Sequence, residues 1–175
     1  ANIDGVAAEC AARGLQTNEP LRCAALLPAL SLIDGPIALL EVGASAGLCL
    51  YPDRYSYRYE SGQDLDPAGG QSPVVLRSSA RGLPSLHLPE VVWRAGIDLA
   101  PLDAASEADR RFLTSLVWPG EEGRRERIVA ALDVVRAEPP TLISGDATAD
   151  GLLAQLAAEA PGDATLVVTT PGVLP

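Results

Sequence analysis

The stretch "PIALLEVGASAGLCL", residues 36–50, decides how this chain is read. Its first half, Ile37 to Val42, is nearly all apolar and too short for a helix, the pattern of a strand covered on both faces in a parallel sheet. The run ends on an acid, Glu41, and passes into the turn Gly43-Ala44-Ser45-Ala46-Gly47. Glycine tolerates positive φ, so Gly43 lets the chain leave the strand sharply. Gly47 then lets a helix start close against the sheet, its first amides aimed into the turn. A carboxylate beside such a turn repels phosphate but accepts hydrogen bonds from ammonium or hydroxyl groups, so the ligand end expected near Glu41 is cationic or neutral. The competing explanation is a tight turn needed only for packing.

Working outward, three more strand-like runs appear at 91–99 ("VVWRAGIDL"), 141–148 ("TLISGDAT") and 164–170 ("ATLVVTT"). Helical stretches separate or precede them. Residues 6–16 and 20–33 are rich in Ala and Leu, the second with Asn18 as its cap, Pro20 in its first turn and a kink at Pro28. Ser106 with Asp109 forms a capping box, Ile128, Leu132 and Val135 share one helical stripe, and 149–160 is a further helix. Pro52 cuts short the helix after Gly47. Strands alternating with helices imply a parallel, Rossmann-like α/β sheet with its ligand site at the strands' carboxyl ends. Between the first two core strands, "YSYRYES", "DPAGG" and "SPVVLRSS" signal an inserted hairpin with one face wet, in which Tyr55, Tyr57 and Tyr59 read as a packed aromatic face rather than a stacking face for a ligand. The whole is one domain over 1–175: a helical lead (1–35), the glycine-rich strand and turn (36–52), the hairpin insertion (53–90) and the remaining strands and helices (91–175).

Composition narrows the partners. Of 175 residues 47% are hydrophobic and 21% charged, enough for one domain with a real core. The 13 basic residues, all arginine, face 23 acids, a net charge of -10 that opposes nucleic acid. Cys10, Cys23 and Cys49 have no metal spacing and sit among small apolar residues. With a single histidine they oppose a zinc site and suit a reducing cytoplasm. No apolar run reaches the roughly 18 residues of a membrane helix. The chain has no methionine and stops just after a strand-like run, so the reading is of a piece of a longer protein whose fold is incomplete here. An apolar last strand with a neighbour on one side only is expected to form a homodimer edge or to be covered by later chain.

Two residues compete to hold the hydroxyls of a ribose. Glu60 has the usual spacing, 19 after Glu41, but its strand alternates polar and aromatic residues. Asp98 is 57 residues after Glu41 yet ends an apolar core strand, and an inserted hairpin lengthens a loop at little cost. Strand character favours Asp98, with a turn or capping role as the alternative. Asp146, in "SGDA" at the end of the third strand, suits an exocyclic amine or an Asx turn equally. His87 lies in a Pro-flanked loop and reads as a solvated histidine rather than a base. Ser45 has the G-x-S-x-G spacing of a nucleophile elbow, but the required histidine does not follow late in the chain. Asn18 and Glu19 read locally as caps.

"LLEVGASAGL", "GIDLAPLD", "SGDAT" and "LVVTT", in that order, resemble the successive cofactor motifs of class I S-adenosylmethionine-dependent methyltransferases. Together with "QTNEP", "WRAGIDLAPLD" and "LVWP" they resemble, over most of the chain, an uncharacterised bacterial family, domain of unknown function 2332. The resemblance implies S-adenosylmethionine as cofactor, with Glu41, Gly43, Ala44, Ser45 and Gly47 around its amino-acid end, Asp98 at the ribose, and Asp146 with Ala147 near the adenine. It places Asn18, Glu19 and Thr169 at the cleft. Ser45 stands where the methyltransferase turn has its middle glycine. The function expected is methyl transfer to a small molecule. The alternatives are a degenerate Rossmann-like domain that binds a nucleotide or a protein partner without chemistry, and a serine hydrolase through Ser45.

Overall fold

The computed structural model describes residues 2–12, 14–80, 82–149 and 151–172. Arg13, within the first helical stretch of the sequence reading, Asp150, within the last one, and the terminal 173–175 lie outside these described residues.

Four strands form a parallel sheet in the order β6-β5-β1-β7: β1 (Pro36–Val42), β5 (Glu90–Asp98), β6 (Thr141–Ser144) and β7 (Thr165–Thr169). These are the four apolar runs of the sequence, with β1 and β5 each starting one residue earlier and β6 and β7 shorter. The chain steps from β1 outward through β5 to β6, then crosses back to lay β7 on the other side of β1. The strand order therefore reverses beside β1, the place where open α/β sheets hold ligands.

Side chains alternate across the sheet. Leu39 and Val167 face a large core built with α2 (Arg22–Leu30), α3 (Glu107–Ser115) and α4 (Arg124–Ala137). Leu40, Ala95 and Ile97 face the other side, where α5 (Leu152–Ala157) covers them through Leu156. The α4 stripe of Ile128, Leu132 and Val135 is buried as its spacing predicts. The Ser106 hydroxyl caps α3 by accepting the Asp109 N–H at 3.3 Å. The first helix, α1 (Ile3–Ala12), buries none of its residues.

The insertion differs from the hairpin expected. β2 (Ser56–Tyr59) and β3 (Asp64–Leu65) do form an antiparallel hairpin, but β4 (Val75–Ser78) lies parallel to β2 on its other edge. "DPAGG" belongs to a crossover, not to a hairpin turn. Ser56 pins that crossover: its hydroxyl donates to Asp66 Oδ1 at 2.5 Å and accepts the Ser72 N–H at 2.8 Å. The tyrosine face is dry. Tyr55, Tyr57 and Tyr59 are buried, their hydroxyls donating to the carbonyls of Leu48, Pro52 and Ala24, so the insertion packs this face onto the main core.

One buried charge anchors the junction. Arg94, in the middle of β5, is 5% exposed, pairs with Asp53 at 2.7 Å, donates to the Leu50 carbonyl at 2.7 Å and stacks its guanidinium 4.7 Å from the Tyr51 ring centroid. A desolvated guanidinium is tolerable only with such a full set of partners.

Candidate functional site

The turn after β1 has the backbone its glycines predict, with φ of 74° at Gly43 and 76° at Gly47. Ser45 is the one non-glycine described residue with positive φ, at 52°. That conformation costs an L residue roughly 1–2 kcal/mol unless its groups are held, and both are: the backbone N–H by Asp98 and the hydroxyl by the Gln16 side-chain carbonyl. No α-helix follows. Leu48–Leu50 is a single 3-10 turn, a correction to the sequence reading, and the turn's amides do not point at a ligand. The Gly43 and Ala44 N–H groups both donate to the Ile97 carbonyl, at 2.8 and 3.2 Å, and that of Gly47 to Ala44 at 2.7 Å. The Leu48 N–H goes to Asn18 Oδ1 at 3.2 Å. A turn whose donors are taken up internally makes a poor phosphate cradle, in line with the acid that precedes it.

Asp98 ends β5 and ties the two strand ends together. Its Oδ2 accepts the Ser45 N–H at 2.7 Å and its Oδ1 the Ala100 N–H at 2.9 Å. Each carboxylate oxygen has two acceptor sites, so each keeps one for a further donor. The approach of the turn to β5 depends on Gly96, where a Cβ would collide with Ala44 Cβ and crowd Leu142. At the end of β6, Asp146 Oδ1 accepts the Thr148 N–H at 2.8 Å and hydroxyl at 2.7 Å. Those bonds hold its exposed carboxyl below the usual carboxylate range.

A hollow of about 460 Å³ opens among these loops, walled by Gly43 and Ser45, by Asp98, and by Asp146 and Ala147. Its volume lies within the range of small-molecule sites. Gln16, Thr17 and Arg22 supply a further wall. The sequence marks these three only faintly: Gln16 and Thr17 open "QTNEP", and Arg22 is the one charge in the otherwise apolar α2.

Glu41 lies beneath the hollow, not on its wall. It is 1% exposed, beside Cys49 on the core face, and its Oε2 has no hydrogen-bond partner. Burial pushes its pKa well above the ordinary carboxylate value; Cys49 and Asp98 add to the rise and Arg22 opposes it. Thr169, buried, is its register partner on β7. The Cys49 thiol is itself raised by its contact with Cys23 and by burial.

Asn18 is not the cap of α2. Leu21 occupies that position, and the Asn18 side chain instead clamps the glycine turn, donating to the Ala44 carbonyl at 2.6 Å and accepting from Leu48. Glu19 does cap locally, accepting the Leu21 N–H at 3.0 Å, and pairs with Arg124 and Arg127 of α4, each at 2.8 Å. Glu60 follows β2 in the small sheet, in a separate hollow with Arg58 and Arg77. His87 is exposed in the loop before β5, which begins opposite Pro36, the far end of β1 from Ser45. About six strand residues, or roughly 20 Å, separate those ends. The chain's single histidine therefore does not reach Ser45.

The fold is a Rossmann-like α/β sheet with this hollow at the carboxyl ends of β1, β5 and β6. The family model described as "uncharacterized protein conserved in bacteria", domain of unknown function 2332, matches residues 3–174, and the chain belongs to that family. No curated protein and no solved structure matches it. Among the described residues no helix is long and apolar enough to cross a membrane.

Proposed function

We propose that the chain binds S-adenosylmethionine in this hollow and transfers its methyl group to a small molecule. One observation carries the reading: Asp98 from β5 and Asp146-Ala147 from β6 wall the same hollow as the Gly43–Ser45 turn of β1, beside the reversal in strand order. The donor set fits. Asp98 keeps an acceptor site on each oxygen for the two ribose hydroxyls, and Asp146 keeps Oδ2 for an exocyclic amine, next to the small Ala147. The bound cofactor would supply an electrophilic methyl on a sulfonium centre. The chain's task is positioning, which asks for no general base.

Binding without transfer is the second reading, favoured by the close approach of Gly172 to the Arg22 guanidinium on the hollow's wall. Calorimetric titration with S-adenosylmethionine and S-adenosylhomocysteine tests both readings, with a saturable isotherm expected for each ligand. Methyl release in the presence of candidate acceptors then separates them. Failure to bind either ligand sinks the proposal, and labelling of Ser45 by a fluorophosphonate would move the assignment to a hydrolase.

A further inference from the structure

The hollow's charged wall residues are Asp98, Asp146 and Arg22, with Glu41 just beneath. Arg22 is the single cation on that wall among the described residues. It is half-buried at the start of α2, and no carboxylate of the described residues lies within ion-pair distance of it. This contrasts with Arg54, Arg58, Arg94, Arg110, Arg124 and Arg127, each paired with an Asp or Glu. Its hydrogen-bond partner is neutral: Nη2 donates to Thr17 Oγ1 at 3.1 Å. Room for the other terminal nitrogen comes from Gly172, whose missing Cβ would overlap Nη1.

We infer that Arg22 is the specificity residue of this site and binds the α-carboxylate of an amino-acid tail on the ligand. A guanidinium presents parallel N–H donors that match a carboxylate, and here, without an ion-pair partner among the described residues, it shares the hollow's wall with two acids, Asp98 and Asp146. A ligand ending in a zwitterion meets both signs: Arg22 takes the carboxylate, and the negative charge of Asp98 and Asp146 on the same wall favours a nearby ammonium. A nucleoside without that tail leaves Arg22 unanswered. The inference rests on the proposed S-adenosylmethionine reading and narrows it, because it requires an amino-acid end where the fold alone requires only a nucleoside.

The experiment compares S-adenosylhomocysteine with 5′-methylthioadenosine, which keeps the nucleoside and sulfur but lacks the amino acid, by calorimetry on the wild type, Arg22→Gln and Arg22→Lys. Loss of a charged hydrogen-bonded pair predicts S-adenosylhomocysteine binding about 10- to 100-fold weaker in Arg22→Gln. Methylthioadenosine affinity should not change, and Arg22→Lys should recover part of the loss. A wild-type comparison of S-adenosylmethionine with its decarboxylated form keeps the test open if the variants fold poorly, with the carboxylate-bearing ligand expected about 10-fold or more tighter. Equal effects of Arg22→Gln on both ligands, or no effect on either, overturn the role of Arg22 while leaving the cofactor reading in place. If the wild type binds methylthioadenosine but not S-adenosylhomocysteine, the tail reading fails. If it binds none of these ligands, the cofactor reading falls and the inference with it.

Discussion

Replacing Glu41 by glutamine isolates one buried acid with an unpartnered oxygen. In the folded chain burial raises its pKa well above 4.5, the value near which it titrates once unfolded. Between those two values the unfolded chain has released a proton that the folded chain still holds, so stability falls as pH rises. The stability linked to the protonated group is fully present below about pH 4.5 and is lost as pH climbs through the folded pKa. One proton corresponds to a slope of about 1.4 kcal/mol per pH unit. Glutamine has the shape of the neutral acid and does not titrate, so the difference between wild type and Glu41→Gln cancels every other group. Urea unfolding at pH 5, 6, 7 and 8 should show the variant gaining about 1.4 kcal/mol on the wild type per pH unit until Glu41 ionises. With an m-value of about 2 kcal/mol/M, that is a midpoint difference of roughly 0.7 M per unit. Parallel pH curves for the two proteins would refute the reasoning, because they would mean that Arg22 outweighs desolvation and keeps Glu41 ionised in the fold.

Asp98→Asn leaves one of the Ser45 and Ala100 N–H groups facing an amide NH₂. It should therefore lower stability by about 1–3 kcal/mol as well as weaken binding of the proposed cofactor, whereas Glu60→Gln should change neither; unaltered stability in Asp98→Asn would show that the turn does not depend on this carboxylate. Gly96→Ala drives a methyl group into Ala44 and should cost about 1–3 kcal/mol in thermal unfolding, with Ala44→Gly in the same chain restoring part of it; an additive double variant would contradict the contact. Arg94→Met strands the half-buried Asp53 and should destabilise by about 3–5 kcal/mol, a loss that Asp53→Leu in the same chain relieves if the pair is the cause. At the sheet edge, β7 exposes Leu166 and Val168 on the face it shares with Leu40. Light scattering should find a concentration-dependent dimer that Val168→Lys abolishes, and a monodisperse wild-type monomer at high concentration argues against edge pairing.

The four core strands were legible because a strand buried on both faces is written locally, as a short apolar run between turn residues; Ile37–Val42 and the run ending at Asp98 needed no partner to be recognised. The same holds for the Ser106 cap and the α4 stripe, whose interactions span three or four residues. Asp98, preferred to Glu60 on strand character, ends β5 of the main sheet, whereas Glu60 follows β2 of the small one. Pairing direction was not legible. Whether 75–78 returns antiparallel or crosses over to lie parallel to β2 depends on where the Ser56 hydroxyl pins the intervening loop, and no alternation pattern records that. Nor does a local pattern show that Asn18 leaves its own helix for Ala44 and Leu48, 26 and 30 residues on. Glu41 makes the division plain. Its place at the end of a strand and before a glycine turn is a property of the sequence. That the side chain turns beneath the turn, loses its water and yields the hollow's wall to Arg22 was decided by packing, because desolvation is set by everything around a group and not by its neighbours in the chain.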